Sequence, residues 1–453
     1  MKSDELLEQV AVLDPARAFD VPDPDSDEAQ SLLARAMMDA PKMPHRASLP
    51  LVRRPALLVA SVFAVAAVGA LVSPPGQGAV RAAVDQVSSW FSGQATVVGT
   101  NGGEPIAQLK TDGIVTSAVS DGQGGWYIAG GFTEVNGEPR AHLAHILGDG
   151  SVDPNWTPQL GGDAKPNYIY ATLSSANGRL FVAGTFTTVD GQALGNVVAL
   201  DAQTGDVAQG WEGNFNALGE GNFALATDGE HIYVGVTGTA IVDGQVRNCL
   251  VALDAQTGQL DSEFSPDLKA PGDLVCVSSL ALSDGTLFAS GTFAQSTNAT
   301  RATVVALNAT TGATVPRFVS PTLSPDQAVP LALAASADAL YVGGNFDATD
   351  GSQHQGIVAL DPQTGTPLQS FDDTVTTNSG DTGAVFSLLL VGDRLYLGGQ
   401  FDSVAGESRD GFAVLDVANG QPLSAGAVPG NDYVLSLALS GQGVMAAGKG
   451  GGG

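Results

Sequence analysis

The chain has 453 residues, with 47 Asp or Glu against 19 Lys or Arg and a net charge of −28. Such a balance argues against nucleic acid, because a phosphate backbone is bound by Lys and Arg. The carboxylates are scattered over loops and turns, where they serve solubility, and scarce Lys beside abundant Ala, Gly and Val points to a high-GC bacterial genome.

Residues 1–54 hold two short helix candidates. Leu6, Leu7, Val10 and Leu13 share one face before Pro15; Asp25 and Glu28 form a capping pair ahead of Leu32, Leu33, Ala36 and Met37, with Pro41 beyond. Both stripes are too short to fold alone, which leaves a docking tail or a partly disordered leader. Asp23, Asp25 and Asp27 mimic the start of a calcium loop, but the required Gly and terminal Glu are absent and Pro24 interrupts it.

Residues 55–73 are the one membrane candidate. Ala56 to Val72 carries no charge, and with its flanks reaches the roughly 20 residues a bilayer helix needs. Lys42, His45, Arg46, Arg53 and Arg54 precede it and the next cation is Arg81, so the positive-inside rule places the N-terminus in the cytoplasm and the rest outside. The expectation is a single-pass signal-anchor of the plasma membrane. A cleaved signal is the alternative, although its n-region would run to Arg54 and no clear small-x-small site follows. In residues 74–94, Val80, Ala83, Val84, Val87 and Phe91 sit at helical spacing beside Trp90, as an interfacial extension of the span or a packed stalk.

From Val115 onward a unit recurs about every 54 residues. Its second strand reads Trp126-Tyr-Ile-Ala-Gly-Gly-Phe132, Leu180-Phe-Val-Ala-Gly-Thr-Phe186, Ile232-Tyr-Val-Gly-Val-Thr-Gly238, Leu287-Phe-Ala-Ser-Gly-Thr-Phe293, Leu340-Tyr-Val-Gly-Gly-Asn-Phe346, Leu395-Tyr-Leu-Gly-Gly-Gln-Phe401 and a degraded Val444-Met-Ala-Ala-Gly448. A third strand follows, as in Asn196-Val-Val-Ala-Leu-Asp201 and Ile357-Val-Ala-Leu-Asp361, and Trp156, Trp211, Phe264, Phe318 and Phe371 close the unit. Short Val, Leu, Tyr and Phe runs bounded by Asn-Gly, Asp-Gly and Thr-Gly are strands and turns. A small-residue first strand precedes each hairpin, as suits a crowded axis. Units of this kind cannot bury their apolar faces alone and must stack. The expected fold of residues 95–453 is therefore all-β, a seven-bladed β-propeller, which manages strand edges by radial packing. The stretch Ala95 to Gln108 supplies the half-unit missing after Gly453 and is expected to pair with the last hairpin; six blades plus a stray hairpin is the alternative.

Leu143-Ala-His-Ile-Leu-Gly-Asp-Gly-Ser-Val-Asp-Pro-Asn-Trp156 resembles the delta-sixty repeat of bacterial secreted propellers, and units such as Ala199 to Trp211 are similar to pyrroloquinoline-quinone-type propeller repeats. The resemblance spans roughly the last four-fifths of the chain and implies fold; propeller repeats host unrelated functions.

Asp201, Asp254, Asp361 and Asp416 all precede a Thr-Gly or Asn-Gly turn, so their recurrence favours backbone capping over catalysis. His142 and His145 fall on opposite faces of one strand, and His231 and His354 lie in other units, so they read as solvated or hydrogen-bonded side chains and no metal is expected. Cys249 and Cys276 either pair in an oxidising exterior or are two buried small hydrophobes. Sequons at Asn155, Asn298 and Asn308 are short enough to arise by chance, and no nucleophile elbow or phosphate loop appears.

The polar segments after each second strand are the candidate binding loops: Asn136, Glu138 and Arg140; Asp190 and Gln192; Asp243, Gln245 and Arg247; Asn298 and Arg301; Asp350, Gln353 and His354; Glu407 and Arg409. Loops on a rigid scaffold are where binding residues gather. The expectation is a non-enzymatic module for a protein, peptide or glycan, with no cofactor. A quinone-dependent or hydrolytic enzyme, and a sensor signalling to the tail, are the rivals.

Overall fold

The computed structural model describes residues 93–99, 105–162, 171–217, 223–269, 276–295, 298–348, 354–371, 374–424, 431–441 and 443–450. The tail, the apolar span and the stalk up to residue 92 lie outside them. Among the described residues no helix is long and apolar enough to cross a membrane. The chain divides into Met1–Ser88 and Ser89–Gly453, and the described residues all belong to the second unit.

Every regular element among them is a β-strand. Inner strands run over Val115–Ser120, Ala171–Ala176, Phe223–Thr227, Val277–Ser283, Leu323–Ala335, Ala384–Val391 and Asn431–Ser440. Each turns back into a middle strand: Trp126–Gly130, Arg179–Gly184, His231–Val242, Thr286–Gln295, Leu340–Ala348, Arg394–Gln400 and Gly443–Gly450. In units one to six the middle strand pairs on its far side with an outer strand, Leu143–Ile146, Val197–Asp201, Gln245–Asp254, Asn298–Asn308, Gln355–Leu360 or Phe412–Asp416. Beyond it the chain touches back at single bridges such as Leu200↔Val207 and Leu360↔Pro367.

In unit seven the outer strand comes from the other end of the sequence. Strand β1 (Gly93–Gly99) pairs antiparallel with Gly443–Gly450, from Gly93↔Lys449 to Gly99↔Gly443, and β2 (Pro105–Thr111) flanks it. Ala95 and Val97 are buried in one cluster with Trp126, Ile128, Ala438, Met445 and Ala447, which joins β1 to units one and seven.

Neighbouring inner strands are linked through serines. Ser117 Oγ accepts the Leu173 N–H at 3.1 Å, Ser279 Oγ that of Leu333 at 3.2 Å and Ser387 Oγ that of Leu437 at 3.0 Å. Ser436 Oγ in the last unit accepts the Ala118 N–H of the first at 2.9 Å. These bonds occupy N–H groups on an edge that would otherwise be left unpaired.

Units one to five each also pack an aromatic pair. The middle-strand ring meets the closing aromatic in Tyr127–Trp156 at 5.0 Å, Phe181–Trp211 at 6.3 Å, Tyr233–Phe264 at 5.4 Å, Phe288–Phe318 at 5.8 Å and Tyr341–Phe371 at 5.4 Å. These tilted and edge-on arrangements add to the area they bury. The Gly of the recurring Gly-x-Phe is sterically required: a Cβ on Gly130 would lie 2.1 Å from the Ile114 carbonyl oxygen, and one on Gly399 would lie 2.1 Å from that of Ala384.

Candidate functional site

The two ends of each unit differ. Inner–middle turns and the turns after the outer strands lie at one end, the turn end. Middle–outer connections lie at the other, the ribbon end.

The segments read as binding loops are β-ribbons at the ribbon end. Glu134–Val135 pairs with Glu138–Pro139, Thr188–Val189 with Gln192–Ala193 and Ser403–Val404 with Glu407–Ser408; in unit three the middle and outer strands run through to Val242↔Gln245. Their tips are Asn136-Gly137, Asp190-Gly191, Asp243-Gly244 and Ala405-Gly406, with φ of 52 and 83°, 49 and 77°, 48 and 76°, and 49 and 78°. Positive φ at both residues is the two-residue hairpin turn that matches strand twist.

Each ribbon is also held along one edge. Thr111↔Val135, Leu160↔Val189, Phe215↔Val242 and Val375↔Val404 pair it with the segment that enters the unit or with β2. Asn136 Oδ1 accepts the Lys110 N–H at 2.9 Å, Asp190 Oδ1 the Gln159 N–H at 2.9 Å and Asp243 Oδ2 the Leu260 N–H at 2.8 Å. These three side chains are therefore committed to the scaffold.

The arginines fold back in the same way. Arg140 is buried, donating from Nη1 to the Pro139 carbonyl and from Nη2 to that of Asp153, both at 2.6 Å. Arg247 Nη2 reaches Gln245 Oε1 at 2.9 Å, and Arg409 Nη2 reaches Glu407 Oε2 at 2.7 Å and the Leu423 carbonyl at 3.3 Å. His354 is buried ahead of the fifth outer strand. Asn298 and Arg301 lie in the fourth outer strand, where they pair with Gln295 and Ala294. Asp350 and Gln353 lie outside the described residues. Glu138, Gln192, Gln245 and Glu407 are exposed, each directly after the tip glycine. What the ribbons present is thus a repeated carboxylate or carboxamide.

The turn end spends its polar groups internally. Asp201 Oδ1 accepts the N–H groups of Gln203 and Thr204, and Asp254 and Asp361 do the same for Gln256 with Thr257 and Gln363 with Thr364. The Thr364 N–H leads in holding the Asp361 carboxyl below the usual carboxylate range. Burial pushes the Asp254 carboxyl up, but the Thr257 N–H and hydroxyl and the Gln256 N–H outweigh it. Tyr127 Oη donates to the Ala202 carbonyl and Tyr233 Oη to that of Ala309 at 3.0 Å, each crossing to the following unit. Arg179 Nη1 bonds the Gln256 carbonyl at 2.7 Å, a third such crossing. Burial, then Asp121, Asp153 and Asp201, push the Tyr127 hydroxyl up to about 12.

His145 lies between two carboxylates, with Nδ1 2.9 Å from Asp153 Oδ2 and Nε2 3.1 Å from Asp121 Oδ2. Spacing alone gave no sign of this, because Asp121, His145 and Asp153 meet only through the fold. His142 is buried, with φ 69° and Nδ1 3.1 Å from the Gly130 carbonyl; burial lowers its proton affinity. Cys249, φ 63°, takes the corresponding place within its longer outer strand and forms a disulfide with Cys276, tying the base of ribbon three to the start of the fourth inner strand. Gly356 and Gly411 occupy that place in units five and six with φ of 75 and 66°. Among the described residues no group of His, Cys, Asp and Glu is arranged to hold a metal ion.

Residues 124–155 match the family model described as a domain of unknown function (DUF5122) beta-propeller. No curated protein matches the chain in sequence. The chain is similar to the WD40 beta propeller domain of Doa1 at 13% identity, covering 75% of this chain and 91% of that one with a TM-score of 0.41. It is also similar to apo AztD from Citrobacter koseri at 10% identity, covering 80% and 99% with a TM-score of 0.34. The all-β body of the described residues and the family match together support a β-propeller domain.

Proposed function

We propose that this domain is a seven-bladed propeller acting as a non-enzymatic binding module, anchored by residues 55–73 and working outside the cytoplasm. The blade number is supported by the serine links that lead from unit seven back to unit one and by β1 completing the seventh sheet. The compartment is supported by the Cys249–Cys276 disulfide, since such bonds persist in oxidising surroundings. The observation that carries the binding role is the ribbon end. Its hairpins are each paired along one edge to the scaffold while Glu138, Gln192, Gln245 and Glu407 stay exposed at their tips. Preorganised groups lose little freedom on binding, which favours capture of a polar partner. The partner class is a protein, peptide or glycan offering hydrogen-bond donors.

The test is a full-length variant carrying Glu138→Ala, Gln192→Ala, Gln245→Ala and Glu407→Ala. It should melt like the parent and lose the partner that the parent captures from intact cells. Undiminished capture by this variant refutes the placement.

A further inference from the structure

We propose that His145 is a proton-operated clasp that joins the Asp121 turn to the Asp153 segment of unit one. Both ring nitrogens face a carboxylate oxygen, at 3.1 and 2.9 Å. A neutral imidazole has one N–H and one lone pair, so only the imidazolium donates on both sides. The neutral ring would set its lone pair against one of the two carboxylates.

The surroundings keep both acceptors in place. Asp121 Oδ1 accepts the Gln123 and Gly125 N–H groups at 2.7 and 2.8 Å. Asp153 Oδ1 accepts the Asn155 N–H at 2.9 Å. Burial pushes the Asp153 carboxyl up, yet that N–H and the His145 bond bring it below the usual range. The ring stacks on Tyr127 at 4.6 Å and meets Trp156 edge-on at 6.0 Å. The charged and titratable groups around it are Asp121 from the turn, Tyr127 from the middle strand, Asp153 from the closing segment, Arg140 on the Asp153 carbonyl and, across Tyr127, Asp201 of unit two. The Asp121 turn adjoins the seam with unit seven, where Ser120 Oγ donates to Ser440 Oγ at 3.0 Å and Trp126 Nε1 to the Ala438 carbonyl at 3.1 Å.

Unit three holds a looser version. His231 lies 3.3 Å from Asp228 and 3.7 Å from Asp261, which occupy the corresponding turn and closing segment, and it is more exposed. The pair provides an internal control.

The experiment compares thermal melting of the full chain with that of His145→Gln from pH 5.5 to 8.5. A glutamine offers donor and acceptor together but no charge. At pH 5.5 the parent should melt about 3–6 °C higher, and the gap should shrink to less than half by pH 8.5, because the clasp needs a proton on each ring nitrogen. His231→Gln should show a smaller gap. A His145→Gln gap that is the same at both pH values overturns the proposal, because a merely structural histidine gives a constant offset. If His145→Gln does not fold, Asp121→Asn in the same comparison should give the same narrowing, and a constant offset there overturns it equally.

Discussion

The turn end and the ribbon end are built from equally repetitive sequence, yet they dispose of their polar groups in opposite ways. At the turn end the recurring Asp caps its own backbone, and Tyr127, Tyr233 and Arg179 reach across to the next unit. At the ribbon end the tip residue bonds inward and the residue after the glycine is left to solvent. Recurrence marks an architectural duty in the first case and a repeated surface in the second. Hydrogen-bond partners, and not residue type, separate the two.

The largest effect should come from the joint at the base of ribbon three. Replacing Cys249 and Cys276 by Ala removes the cross-link and should cost about 2–4 kcal/mol in denaturant melts. It also leaves a non-glycine residue at φ 63° without its tether. Cys249→Gly with Cys276→Ala should recover about 1 kcal/mol of that loss, because glycine accepts positive φ freely. Equal stability of the two variants would show that the backbone there relaxes once the bond is gone.

A smaller effect is expected at the caps. Asp361→Ala should destabilise by about 1 kcal/mol, whereas Asp361→Asn should be nearly neutral. Unit four already uses Asn308, whose Oδ1 accepts the Thr310 and Thr311 N–H groups. The two differ in acid. The native-state carboxyls of Asp254 and Asp361 are held low, so their stabilisation is complete above the ordinary carboxyl range and is lost as pH falls toward the native value. Asp361→Asn should therefore soften the acid limb of the melting profile, and an unchanged limb would assign acid sensitivity elsewhere. The smallest effect belongs to the tips: Glu138→Ala and Gln192→Ala should each move stability by under about 0.5 kcal/mol. A larger loss would make those tips part of the scaffold and erase the contrast between the ends.

Much of this architecture is legible in the sequence. Alternating aliphatic runs and turn pairs locate the strands, and the half-unit at Ala95 pairs with the last hairpin, as the missing strand required. The Asp before each Thr-Gly caps its turn. Other features depend on contacts between distant residues. Small residues in the inner strands suit crowding, but Ser117, Ser279, Ser387 and Ser436 also accept amides from the neighbouring strand. Asn136 and Asp190 look like free loop side chains until β2 and the Gln159 segment lie beside them. The partners of His145 are equally invisible. The one local signal was the strand difference in unit one, where His145 stands at a position that Ala fills in units two to five.

The seam formed by β1 also governs how the domain can be handled. Gly93 lies opposite Lys449, so the first strand begins and the last strand ends at the end that carries the ribbon tips. A reporter grafted after Gly450 would crowd that end and hinder access to Glu138 and its counterparts. One inserted at Asn177-Gly178, an exposed turn at the opposite end, would leave the tips clear.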